Sequence, residues 1–189
     1  MSARIIVSQY ISLDGVIQDP VGMENSGLGD WIGPFTRGPD GDRFKHAELF
    51  SASAVLLGRT TYDGFAAVWP SVKDEEGFAD RMNAMPKFVA SNSLPEATWS
   101  NTTLISGDVP GKVRGLKETL EGEILIYGSA GLVHSLMPAG LIDQYNLMVY
   151  PTVLGRGTRL FPQGYSVKQM TFIDALPFDD GIVHLRYAA

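Results

Sequence analysis

Apolar residues in this chain gather into short runs that stop at glycine or polar turns. Between the runs lie stretches where apolar positions recur every three or four residues. Short apolar runs bounded by turn residues read as buried strands, and the periodic stretches as amphipathic helices. Strands are therefore expected at Ile5 to Ile11, Ala54 to Leu57, Lys87 to Ala90, Thr102 to Ile105, Ile124 to Tyr127 and Gln144 to Tyr150. Two more, Met170 to Ala175 and Ile182 to Tyr187, flank the turn Asp179-Asp180-Gly181. Helices are expected at Asp42 to Phe50, Arg59 to Phe65, Glu75 to Ala84 behind an Asp74 cap, Gly111 to Leu120 behind Pro110, and Gly131 to Pro138 with Gly140 as the stop. Strands alternating with helices imply an α/β fold: a mostly parallel sheet covered on both faces, closed by an antiparallel C-terminal hairpin.

Two segments share one grammar of apolar run, glycine-bearing turn and helix start: AVLLGRTTYDGF (Ala54 to Phe65) and EILIYGSAGLVHSL (Glu123 to Leu136). A helix that begins straight after a buried strand turns its free N–H groups and the positive end of its dipole toward the sheet edge, where phosphate is held. Two such turns suggest a ligand with several phosphates, such as a dinucleotide. Neither contains G-x-x-x-x-G-K-[ST] or G-x-G-x-x-G, which argues against P-loop and Rossmann sites. The long stretch from Gln18 to Asp40 mixes glycines with Val21, Met23, Leu28, Trp31, Ile32 and Phe35, a composition that suits a lid.

Composition narrows the class. The 189 residues, 44% hydrophobic and 19% charged, fit one folded domain spanning 1–189. The net charge of -6 is spread along the chain without a Lys/Arg cluster, so neither nucleic acid nor a membrane is an expected partner. Without cysteine, thiolate metal sites and disulfides are excluded, and the three separated histidines predict no metal centre. No run is long enough for a membrane helix, and the start lacks a secretory pattern, so the expected location is cytoplasmic.

In order along the chain come S-L-D-G (Ser12 to Gly15), the long loop, G-R-T-T-Y (Gly58 to Tyr62), S-N-S (Ser91 to Ser93), G-S-A-G-L (Gly128 to Leu132) and P-T-V-L-G-R-G-T-R-L-F (Pro151 to Phe161). This succession resembles the dihydrofolate reductase superfamily over essentially the whole chain. Within it, the chain looks most like the reductase domain at the C-terminal end of bifunctional riboflavin-biosynthesis deaminase/reductases and its stand-alone relatives. The deaminase half needs cysteine ligands that this chain cannot supply. The resemblance implies a dihydrofolate reductase-like fold and a NADPH-dependent reductase of a small heterocyclic substrate, with 5-amino-6-(5-phosphoribosylamino)uracil as the best named one. A dihydrofolate or pterin reductase, and a non-catalytic nucleotide-binding regulatory protein, are the alternatives. Together with the apolar segment Tyr145 to Leu154 and the C-terminal hairpin, it also implies a homodimer.

Residue by residue, the resemblance assigns Gly58, Arg59, Thr60 and Thr61 to the cofactor phosphates, Arg59 meeting the 2′-phosphate with its guanidinium fork. Ser91, Asn92 and Ser93 fall on the adenosine side. Gly128, Ser129, Ala130, Gly131 and Leu132 meet the pyrophosphate, and Val16 and Ile17 complete the cofactor contacts. Asp14 and Trp31 are assigned to substrate, and Asp42 is the carboxylate supporting protonation. Each of the last three also has a plainer reading, as turn residue, packing residue and helix N-cap respectively. A phosphoribosyl substrate calls for a further cation from Arg37, Arg43, Lys45 or Arg156, and a pterin for a buried carboxylate.

Overall fold

The computed structural model describes residues 2–166 and 168–189. Its strands are β1 (Arg4–Ser12), β2 (Ala54–Gly58), β3 (Lys87–Ala90), β4 (Thr102–Ile105), β5 (Glu123–Tyr127), β6 (Gln144–Tyr150), β7 (Thr171–Pro177) and β8 (Val183–Ala188). They form one eight-stranded sheet in the order β4-β3-β2-β5-β1-β6-β8-β7. From β4 to β6 all neighbours are parallel, whereas β8 runs antiparallel to both β6 and β7.

Side chains alternate across each strand, so neighbouring residues serve different faces. Ile5, Val7, Ile124 and Ile126 pack with Val113, Val133 and Leu136 from helices α4 (Val109–Thr119) and α5 (Ala130–Leu136). Ile6, Leu125, Val55 and Leu57 pack on the other face with Leu49, Tyr62 and Met82 from α1 (Gly38–Ser51), α2 (Arg59–Val68) and α3 (Phe78–Ala84). Burying each such aliphatic side chain contributes roughly 1.5–3 kcal/mol. A third cluster, Trp31, Met148, Tyr150 and Ile182, anchors the long loop on the far side of β6.

Helices α4 and α5 start within two residues of expectation, but two other starts differ by more. Helix α1 begins at Gly38, with Pro39 in its first turn, so Asp42 lies inside the helix rather than capping it. Helix α3 begins at Phe78 because Gly77 takes a left-handed conformation (φ 76°) that breaks the expected Glu75 start. Asp74 still satisfies that helix end, accepting from the Phe78 and Ala79 N–H groups at 2.8 and 2.7 Å. No helix among the described residues is long and apolar enough to cross a membrane.

Candidate functional site

The parallel strands aim their carboxyl ends at one edge of the sheet. There the chain leaving β1 turns toward α1 on one face, and the chain leaving β5 toward α5 on the other. A crevice opens where neighbouring connections part in this way. It holds a cavity of ≈ 690 Å³ lined from the ends of β1, β2, β3 and β5 and roofed by the segment Ile17 to Glu24.

One arm joins the two glycine turns. The Gly58 N–H donates to Ser129 Oγ at 2.6 Å, and that hydroxyl donates to Thr61 Oγ1 at 2.9 Å, pinning turns far apart in sequence against each other. The approach leaves no room for larger residues. A Cβ on Gly58 would stand 2.9 Å from Ser129, and one on Gly128, whose φ is +59°, would stand 2.8 Å from Thr61 Oγ1. Gly58, Arg59, Thr60, Thr61, Ser91, Asn92 and the whole run Gly128 to Leu132 line the cavity, as does Ile17. Arg59 is oriented by Asp63, whose two carboxylate oxygens accept from its Nε at 2.9 and 2.7 Å. Asn92 Oδ1 accepts from the Gly107 N–H at 2.7 Å, and Ser91 Oγ accepts from the Ser93 and Leu94 N–H groups at 3.2 and 3.0 Å, which stiffens that turn.

The other arm lies on the α1 face. Ser8 and Tyr10 of β1, Lys45 of α1 and Tyr127 of β5 form its floor, with Phe65, Trp69, Phe78 and Met82 as walls. Lys45 Nζ sits 4.7 Å from the centre of the Tyr127 ring and 5.7 Å from that of Tyr10. It donates to Ser8 Oγ at 2.8 Å and is ion-paired with the Glu48 carboxylate. Glu48 accepts in addition from Ser8 Oγ at 2.9 Å and Asn146 Nδ2 at 2.8 Å. Burial works to raise the Glu48 carboxyl, but the Lys45 charge and the hydrogen bonds from Asn146, Lys45 and Ser8 outweigh it and hold the group below its usual value.

Several expected residues stand away from the cavity. Asp42 is exposed and paired with Arg37 at 2.7 Å, whereas Lys45 and Glu48, further along the same helix, are buried. Asp14 is a strut: it accepts from the Leu154 and Gly155 N–H groups at 3.1 and 2.9 Å and from Ser12 Oγ. The Leu154 bond, then that of Ser12, brings its carboxyl down to about 2. Trp31 is buried edge-on against Tyr150 and donates its Nε1–H to the Gln18 carbonyl at 2.8 Å. Val16 is buried in a bridge to Arg159, and Ser93 lies outside the lining. Conversely, Ser8, Gln9, Tyr10 and Tyr127 were not expected at the site, and Lys45 was named only among the cations a phosphoribosyl substrate would call for. The available signal was polar: Ser8 and Gln9 interrupt an otherwise apolar buried strand, and Lys45 and Glu48 are three apart on a helix.

The sheet order, its antiparallel C-terminal hairpin and a cleft across the carboxyl ends define a protein of dihydrofolate reductase-like fold. The chain belongs to the RibD C-terminal domain family, whose model matches residues 3–184. It is 26% identical over 187 residues to the uncharacterized protein YyaP of Bacillus subtilis, covering 97% of this chain and 94% of that one. Among solved structures, a Shewanella sp. PV-4 protein provisionally described as a riboflavin biosynthesis protein superposes with a TM-score of 0.77 at 22% identity, covering 100% of this chain and 98% of that one. Dihydrofolate reductase from Enterococcus faecalis, complexed with NADP(H), superposes with a TM-score of 0.62 at 17% identity, covering 100% of this chain and 98% of the enzyme.

Proposed function

We propose that the protein is a NADPH-dependent reductase of a small heterocyclic molecule. The observation that carries this reading is the joining of the two glycine turns through Ser129, which converges their backbone N–H groups and Arg59 on one arm of the cleft. These residues fit a dinucleotide phosphate chain. The turns are too tight for a Cβ at Gly58 or Gly128, and the ten-residue α2 starts without a side-chain cap at residues that line the cavity, where a phosphate can take up the unpaired N–H groups of a first helical turn.

When bound, the reduced nicotinamide supplies a hydride to a substrate carbon and is itself oxidised. The chain's own part is to align the two rings, exclude water and bring one proton. The roof segment Ile17 to Glu24 and the walls Phe65 and Trp69 perform the first two tasks. Lys45 Nζ is placed to give a proton to the oxygen or nitrogen of a C=O or C=N group as its π bond opens. Ser8 and Glu48 hold that ammonium in position.

Calorimetric titration of the protein with NADPH and NADH tests the reading. NADPH is expected to bind more tightly; equal affinity for the two would overturn the cofactor assignment.

A further inference from the structure

The α1-face arm of the cleft holds more negative than positive charge. Its one lining cation, Lys45, is already neutralised by Glu48. The roof brings two more carboxylates: Asp19, buried and accepting from Ser26 Oγ at 2.6 Å and the Glu24 N–H at 2.8 Å, and Glu24 itself. Burial, and next the Asp19 charge, raise the Glu24 carboxyl above its usual value, as expected where like charges crowd. The other cations that a phosphorylated substrate could call on are engaged elsewhere. Arg37 is paired with Asp42 and donates to the Tyr10 hydroxyl at 2.9 Å, and Arg43 is paired with Asp40. Arg156 donates to the Gly27 carbonyl at 3.0 Å and lies outside the lining, while Arg59 belongs to the other arm.

We propose that this arm selects an uncharged planar ring carrying a carbonyl or imine, with its heteroatom on Lys45 and its faces on Tyr10 and Tyr127, and excludes phosphorylated substrates. The inference rests on the reductase reading of the cleft and departs from the phosphoribosyl substrate that the resemblance implies. A phosphate ester entering here would meet Asp19 and Glu24, with only a lysine already neutralised by Glu48 to offset them, whereas a neutral ring gains stacking on two tyrosines and a charged hydrogen bond.

Uridine and uridine 5′-monophosphate form a matched pair of ring probes that differ only in the phosphate. In calorimetric titrations of the full chain without cofactor, uridine is expected to bind at least about tenfold more tightly, with the gap narrowing as salt is added. Glu24→Gln, on the exposed roof, is expected to narrow the gap as well. The double variant Lys45→Met/Glu48→Gln, which leaves no unpaired buried charge, is expected to lose about tenfold in uridine affinity and none in NADPH affinity. Equal or tighter binding of the monophosphate, or no binding of either probe at millimolar concentration, overturns the inference. The separate NADPH titration distinguishes the two failures: loss of cofactor binding ends the reductase reading, while the probe preference stands or falls by itself.

Discussion

Arg59 shows how much a single side chain decides here and how little of its role depends on the rest of the fold. Its ion pair with Asp63 is solvent-exposed on both sides, with 37% and 51% side-chain exposure, so truncation leaves the core untouched. What it removes is a guanidinium that lines the arm proposed to hold the cofactor phosphates. Arg59→Ala is therefore expected to shrink the preference for NADPH over NADH by on the order of 1.5–3 kcal/mol, the scale of charge-assisted hydrogen bonds. Paired titrations of wild type and variant check this, and an unchanged preference would place 2′-phosphate recognition elsewhere. The place of Arg59 beside the cavity was legible in the sequence, because a glycine turn between strand and helix fixes where its neighbours lie. That Lys45 is buried and Asp42 exposed was not. The two lie three apart on one helix, and spacing alone does not say which is covered; the fold buries Lys45 with Glu48 and leaves Asp42 exposed beside Arg37.

At the scale of elements, the long loop divides into two parts. Trp31, Ile32 and Phe35 are packed around Tyr150, whereas Val21 and Met23 are each 45% exposed on the roof, with Met23 against Gly64 of α2. The lid expected over Gln18 to Asp40 thus narrows to residues 20–27. In the free protein these amides are expected to exchange faster than those of Trp31 to Phe35, and to slow when NADPH and a ring ligand are both present. Uniform exchange across the loop would remove the distinction.

Strand β8 carries a different consequence. His184 is buried between Phe44 and Phe178, and burial drives its pKa from 6.5 down to about 4 against the attraction of Glu48 and Asp174, with Lys45 and Arg186 adding to the fall. Between those values the unfolded chain binds a proton that the folded chain refuses. The neutral ring's contribution is complete above pH 6.5 and is lost as pH falls toward 4, a change of about 3 kcal/mol. Urea midpoints at pH 7 and pH 5 should converge for His184→Phe and diverge for the wild type; identical slopes would mean that the ring does not titrate in this range.

The molecule as a whole has one edge that invites a partner. Strand β6, expected from its apolar sequence to help form an interface, lies inside the sheet between β1 and β8. Strand β7 is the true edge, and it leaves Phe172, Ile173 and Leu176 exposed at 58%, 41% and 37%. Unpaired edge strands with exposed apolar side chains associate readily. Light scattering is expected to give twice the 20.5 kDa chain mass, and Ile173→Lys to return it to the monomer value; a monomeric wild type would leave this edge without a mate. The sheet order was beyond sequence reading for a related reason. Periodicity marks where strands are but says nothing of which ones pair, and here β1 lies between β5 and β6.

That placement of β1 governs how the chain is made. Ile6 pairs with Leu125 on one side and Gln144 on the other, so β1 leaves the ribosome well before either of its neighbours is made. Closing such long loops before any sheet contact repays the entropy makes assembly slow. Nascent chains arrested before Glu123 are expected to stay protease-sensitive across Ile5 to Ile11 and to gain protection only once β5 and β6 emerge; early protection would show that β1 finds another partner first. Until then its apolar residues have no sheet neighbour to cover them.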